Sequence, residues 1–225
     1  MGTTTDAYAT TTGYQALTIT NAGRVGIGTS TPGARLEVSG LVYQTGLGHS
    51  TYFGEEAGLN DGLVNYENTG IGYQALRAVT TGNSNAALGA YALLSNTGNN
   101  NTAVGQSALY SNTTGNVNSA LGQLALYSNT AGYSNTAVGG VALYSNTAGI
   151  YNTAVGWRSL RYSQTGTANS VLGTEAGMGV IENSFASSTL VGYRAGYGLS
   201  TGNNNILLGY QAGDALTTGY NNIII

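Results

Sequence analysis

The strongest binding chemistry in the chain is concentrated in one run, GWRSLRYSQ at residues 156–164, which holds Trp157, Arg158, Arg161 and Tyr162. An indole or phenol ring stacks on the flat face of a sugar, and a guanidinium fork pairs with carboxylate or phosphate. The run therefore fits a glycan contact, and it fits equally well a packing patch between subunits. Tyr193, Arg194 and Tyr210 place the same residue types at corresponding positions further on, and Tyr73 does so earlier.

Catalytic chemistry has little to draw on. The chain has nine acidic residues, one histidine (His49) and no cysteine. Adjacent Glu55 and Glu56 would point to opposite faces of a strand, unlike the carboxylate pair of a glycosidase. A Ser-His-Asp arrangement would have to use His49, whose place at the entry to the repeats suits a linker or cap. No Gly-Lys-Ser/Thr follows any glycine string, and no aspartate recurs as a calcium repeat requires. The expectation is a protein that is not an enzyme, with no cofactor and no metal.

Charge narrows the partners. All six basic residues are arginine, the net charge is −3 and the isoelectric point is 4.9, so no basic patch is large enough to neutralise several phosphates, and nucleic acid is not an expected partner. No run of about 18 apolar residues occurs, so membrane insertion is not expected either.

These candidate residues are carried by a repeat. An Asn-x-apolar-apolar-Gly core ends at Gly72, Gly89, Gly105, Gly122, Gly139, Gly156, Gly173, Gly192 and Gly209, with spacings of 17, 16, 17, 17, 17, 17, 19 and 17. Gly54 extends the series backward, and residues 222–225 begin a further copy. The 36 glycines, the frequent Asn and Thr, and the absence of a sustained 3.6-residue period argue against helix. The expected fold is all-β, a parallel β-solenoid of about ten coils with a 17-residue period over residues 50–225. Residues 1–49 form a separate capping or shaft segment.

The best copies, such as NTAVGQSALYSNTTGNV from Asn101, read as two short strands and two turns per coil. Alternation along a strand would send one residue of each apolar pair inward and the other outward. Ala87, Ala103, Ala120, Ala137 and Ala154 read as a smooth outward face. Gly98, Gly115, Gly132 and their equivalents read as turn glycines with positive φ, and the Ser-Asn-Thr triplets at 111–113, 128–130 and 145–147 as polar ladders satisfying the turns. A 17-residue circuit, about 56 Å at most, encloses a thin interior. Thin interior and alanine face together point to a homotrimer.

The NTAVG and NSALG cores resemble the head repeats of trimeric autotransporter adhesins, and the longer unit with ALYSNTTG between cores is similar to repeats of bacteriophage tail fibres. GRVGIGTSTPGARLEVSG, residues 23–40, is similar to a segment of tail-fibre-like proteins found near a self-cleaving chaperone. The resemblance implies a trimeric β-roll in an extracellular fibre, on a virion or as a cell-surface appendage, that forms a shaft or presents a surface to cell-surface polysaccharide. Neither family's terminal parts are visible, so an excised or processed piece is expected.

Other readings stay open. One is the head of a cell-anchored trimeric adhesin. Another is a filament built head to tail, in which GYQAL at residues 13–17 completes the core that NNIII begins. A third is an ice-binding solenoid, suggested by Thr69, Thr102, Thr136, Thr153 and Thr189 at one coil position. The longer coils add Asn60, Asp61 and Glu182 as residues of protruding loops.

Overall fold

The computed structural model describes residues 17–27, 31–38, 49–61, 66–180 and 183–225. Glu182, most of the GYQAL segment and part of the 23–40 segment lie outside them. The chain forms two compact units, Met1–Thr45 and Gly46–Ile225. In the first, β1 (Thr18–Ile19) pairs antiparallel with β2 (Val25–Ile27), and β2 pairs parallel with β3 (Leu36–Val38).

The second unit is a parallel β-solenoid. Its strands run from β4 (Thr51–Phe53) to β14 (Ile223–Ile224) and stack in sequence order into an 11-stranded sheet. Pairing is in register throughout, for example Thr102 with Ser119, Ala103 with Ala120 and Val104 with Leu121. There is no helix among the described residues. Successive strands of a sheet lie about 4.8 Å apart, so the stack is about 48 Å long.

Each coil holds one strand, not the two expected. The segment after the corner glycine is a run of turns: Ala108 N–H donates to Gly105 O at 3.3 Å, and Asn112 N–H to Leu109 O at 3.1 Å. The cause is the sign of φ. Ser107 and Leu109 have φ of 55° and 51°, a pattern repeated at Leu124 and Leu126 and at Val141 and Leu143. Alternation holds only for extended backbone, and here left-handed residues turn Ala108 and Leu109 both inward, where they are fully buried. The remaining N–H groups bond between coils, as Leu109 N–H does to Ala125 O at 3.0 Å.

The alanine column also faces the other way from expectation. Ala87, Ala103, Ala120, Ala137 and Ala154 are buried inside the coil, and the outward neighbours are Thr102 and Val104 and their equivalents. The inward position trades volume with the second buried column. Where the strand contributes Ala, the position six residues on is Leu (Ala103 with Leu109, Ala154 with Leu160). Where it contributes Leu190 or Leu207, that position is Gly196 or Gly213. Tyr52 with Gly58 repeats the exchange at the first coil, and Phe185, fully buried, fills the space beside Gly177.

Two glycine columns have different causes. The corner glycines have φ between 129° at Gly105 and 145° at Gly173, a region closed to side chains. The turn glycines expected to need positive φ do not have it. At Gly115, Gly132 and Gly149 a β-carbon would instead collide with the next coil's glycine carbonyl and the ladder asparagines.

Asparagine ladders close the turns. Asn118 N–H donates to Asn101 Oδ1 at 2.9 Å, while Asn118 Nδ2 reaches Gly132 O at 2.8 Å. The second ladder comes from the Ser-Asn-Thr triplets: Asn129 Nδ2 donates to Asn112 Oδ1 at 2.7 Å. Buried amides that would otherwise lack partners thus satisfy one another and the turn backbone.

Candidate binding surface

The turn segment sets what each coil displays. After Gly156, Trp157 and Arg158 reach the surface, Ser159 and Leu160 enter the core, and Arg161 returns to the surface. Trp157, Thr174, Tyr193 and Tyr210 follow the corner glycines directly. Trp157 is 47% exposed and Tyr210 73%. Tyr193 and Tyr210 stack with ring centroids 5.5 Å apart and planes 18° from parallel. Thr174, one coil from each, separates Trp157 from Tyr193, so the aromatic surface is an indole and a tyrosine pair with a low step between them.

The next column holds Arg158, Glu175 and Arg194, all half-buried with φ of 59°, 57° and 56°. Glu175, whose side chain is 16% exposed, accepts Arg158 Nη1 at 3.5 Å and lies 3.7 Å from Arg194 Nε. Each guanidinium also covers a ring, Arg158 over Trp157 at 3.9 Å and Arg194 over Tyr197 at 3.8 Å, a favourable cation–π arrangement. Two guanidinium charges against one carboxylate leave the trio with an excess positive charge. Glu175 is the participant that the aromatic and arginine pattern overlooks. Its signal is its column, seventeen residues after Arg158 and nineteen before Arg194.

Arg161 belongs to a different column. It follows Tyr110, Tyr127 and Tyr144, which stack at 5.0 and 5.2 Å with interplanar angles of 16° and 5°. Its guanidinium lies 4.9 Å from the Tyr162 ring centre and 6.0 Å from that of Tyr144. Burial, and then the neighbouring Tyr110 and Tyr144, push the Tyr127 phenol above its ordinary value, which favours its neutral form.

The seven candidate residues therefore sit on neighbouring coils as two groups. Trp157, Arg158, Tyr193, Arg194 and Tyr210 share adjacent columns around Glu175, while Arg161 and Tyr162 adjoin the tyrosine ladder. The acidic residues at the first coils pair elsewhere: Arg77 Nε lies 2.8 Å from Glu56 Oε2, and His49 Nδ1 is 4.0 Å from Glu67. Asp61 accepts the Tyr52 hydroxyl at 2.6 Å.

A second surface is defined by what it lacks. No charged residue occurs between Arg77 and Arg158. Across that stretch the sheet turns outward a column of Leu88, Val104, Leu121, Val138 and Val155, beside a column of Thr102, Ser119, Thr136 and Thr153. Leu121 is 51% exposed. Comparison with family models, curated proteins and solved structures found no match to the chain.

Proposed function

We propose that the chain is a structural and adhesive fibre module: a rigid solenoid rod that assembles with copies of itself, as a homotrimer, and presents the Trp157–Tyr210 surface to cell-surface polysaccharide. The observation that carries this reading is the exposed apolar column on a sheet face free of charge. An apolar strip of that length is a liability for an isolated molecule, and a threefold arrangement of copies would cover it. The alanines, being internal, have no part in this contact. The rod, about 48 Å long by strand spacing, holds the aromatic and arginine surface on rigid elements, which suits a module whose task is display.

The adhesive half is tested by retention on immobilised acidic and neutral polysaccharides. The unaltered chain is expected to be retained and Trp157→Ala to elute with the void. Equal elution of both on every polysaccharide would remove the adhesive role and leave the rod alone.

One observation favours a second reading. The Thr and Ser column lies on the outward face of the sheet in register, with Thr102 opposite Ser119 and Thr136 opposite Thr153, the regular hydroxyl array that an ice-binding surface needs. Thermal hysteresis in dilute solution would support that reading. A freezing point equal to the melting point would dispose of it.

A further inference from the structure

The second asparagine ladder is interrupted. Asn96, Asn112, Asn129 and Asn146 stack in one column, and the Nδ2 of Asn112, Asn129 and Asn146 each donates to the Oδ1 of the coil before, at 2.6, 2.7 and 2.7 Å. The next coil places Ser163 in that column, and Asn183 of the coil after it pairs with Ser163 as an isolated parallel bridge. The neighbouring backbone keeps its register, with Ser145 N–H bonded to Arg161 O at 2.9 Å and Thr147 N–H to Gln164 O at 2.9 Å. The interruption is thus one of side-chain length: serine lacks the carboxamide that would reach back to Asn146.

All three residues are completely buried. Asn146 Oδ1, Ser163 Oγ and Asn183 Oδ1 have no hydrogen-bond partner within the chain. Three orphaned oxygens in one column of three successive coils are an exception to the rule that buried polar atoms are paired. Their chemistry is specific, with two pure acceptors and one hydroxyl able to donate.

We propose that this break is an internal hydration site holding one water molecule. The Ser163 hydroxyl donates to the water oxygen, and the water donates one hydrogen to Asn146 Oδ1, the acceptor that a ladder amide at 163 would have served. Asn146 Oδ1 and Ser163 Oγ are then satisfied, and two protein partners lie within the two to four bonds that a buried water makes. A cation fits poorly, because calcium and magnesium take six or more oxygens with carboxylates among them. Among the described residues there is no cluster of acidic or histidine side chains that could hold a metal. The water joins the coils with an Ala/Leu interior to those with a large residue opposite glycine, at the point where the ladder's own amide runs out.

The direct test compares the unaltered chain with Ser163→Asn by oxygen-17 magnetic relaxation dispersion, which counts long-lived internal waters. Asparagine is what the four preceding coils carry at this place, and Gly166 keeps the same spacing to it as Gly149 does to Asn146. The substitution should extend the ladder and lower the count by one. An unchanged count overturns the proposal. Should the variant not fold, a crystal structure of the unaltered chain decides. Water density about 2.6–3.2 Å from both Asn146 Oδ1 and Ser163 Oγ supports the site. Protein donors on those oxygens, or a peak with a cation's coordination, contradicts it.

Discussion

Leu190 Cδ1 and Cδ2 each lie 3.2 Å from the place that a β-carbon on Gly196 would take. The two residues are halves of one exchange, in which a large side chain on the strand is matched by glycine six residues later. Backbone conformation does not force that glycine. Leu160 occupies the equivalent position with φ of 49°, against 62° at Gly196, so the choice is one of volume.

Gly196→Ala should therefore destabilise by overpacking, by about 1–3 kcal/mol, and Leu190→Ala by about 2–5 kcal/mol through the cavity it leaves. Together they should cost less than their sum, with a coupling of about 0.5–3 kcal/mol. Denaturant unfolding of the four proteins of this cycle measures the coupling, and strict additivity would show that the columns do not share space.

The corner glycines should behave differently. Gly122 has φ of 140°, and a β-carbon there would stand 2.6 Å from the backbone of Gly139. Gly122→Ala should cost at least about 3 kcal/mol, as strain of this kind and a backbone collision add. Gly140→Ala is the control, since its nearest obstacle is Trp157 Cδ1 at 3.4 Å, and it should stay within about 0.5 kcal/mol. Circular dichroism melts of the two variants make the comparison.

Val117 is a β-branched residue at φ 57° and is 55% exposed, so it bears left-handed strain with little burial in return. Asn100 and Asn204 stand at the same coil position. Val117→Asn should raise the melting temperature, with a gain of about 1 kcal/mol. A lower melting temperature would mean that Val117 makes a contact worth more than its strain.

The period was readable because the corner glycine recurs coil after coil and asparagine stands four residues before it in most copies, with serine in its place at Ser50 and Ser188. The single strand per coil was not, because Leu109 at positive φ carries no sign of it: leucine is an ordinary strand and helix residue. The direction of the alanine column was ambiguous for a related reason. Ala103 and Val104 are both apolar, so polarity does not say which one is inside. The pairing of Leu190 with Gly196 does say so, and it is visible in the sequence as a size exchange at constant separation. In the binding surface, Trp157 and Arg158 stood out as breaks in their columns, whereas the role of Glu175 needed the 19-residue coil to be aligned with its neighbours.

Alkaline pH should act first on the initial coil. Burial, reinforced by the hydrogen bond to Asp61, holds the Tyr52 phenol well above its ordinary value of 10.0. A raised folded-state pKa contributes stability that is fully present below the unfolded value, near 10, and is lost as pH rises toward the folded one. Ultraviolet titration should show one tyrosine ionising late, together with loss of structure at this coil. Tyr52→Phe should abolish that late step, and its persistence would assign it to another phenol.

The claim on which the fibre reading turns is self-assembly through the uncharged sheet face. Sedimentation velocity of the unaltered chain and of a Leu88→Lys, Leu121→Lys variant tests it, because both leucines point outward from the sheet and neither substitution fills the core. The unaltered protein should sediment as a species of three times the 22.8 kDa chain mass, and the variant as a folded monomer. A folded monomer for the unaltered chain at every concentration would contradict it.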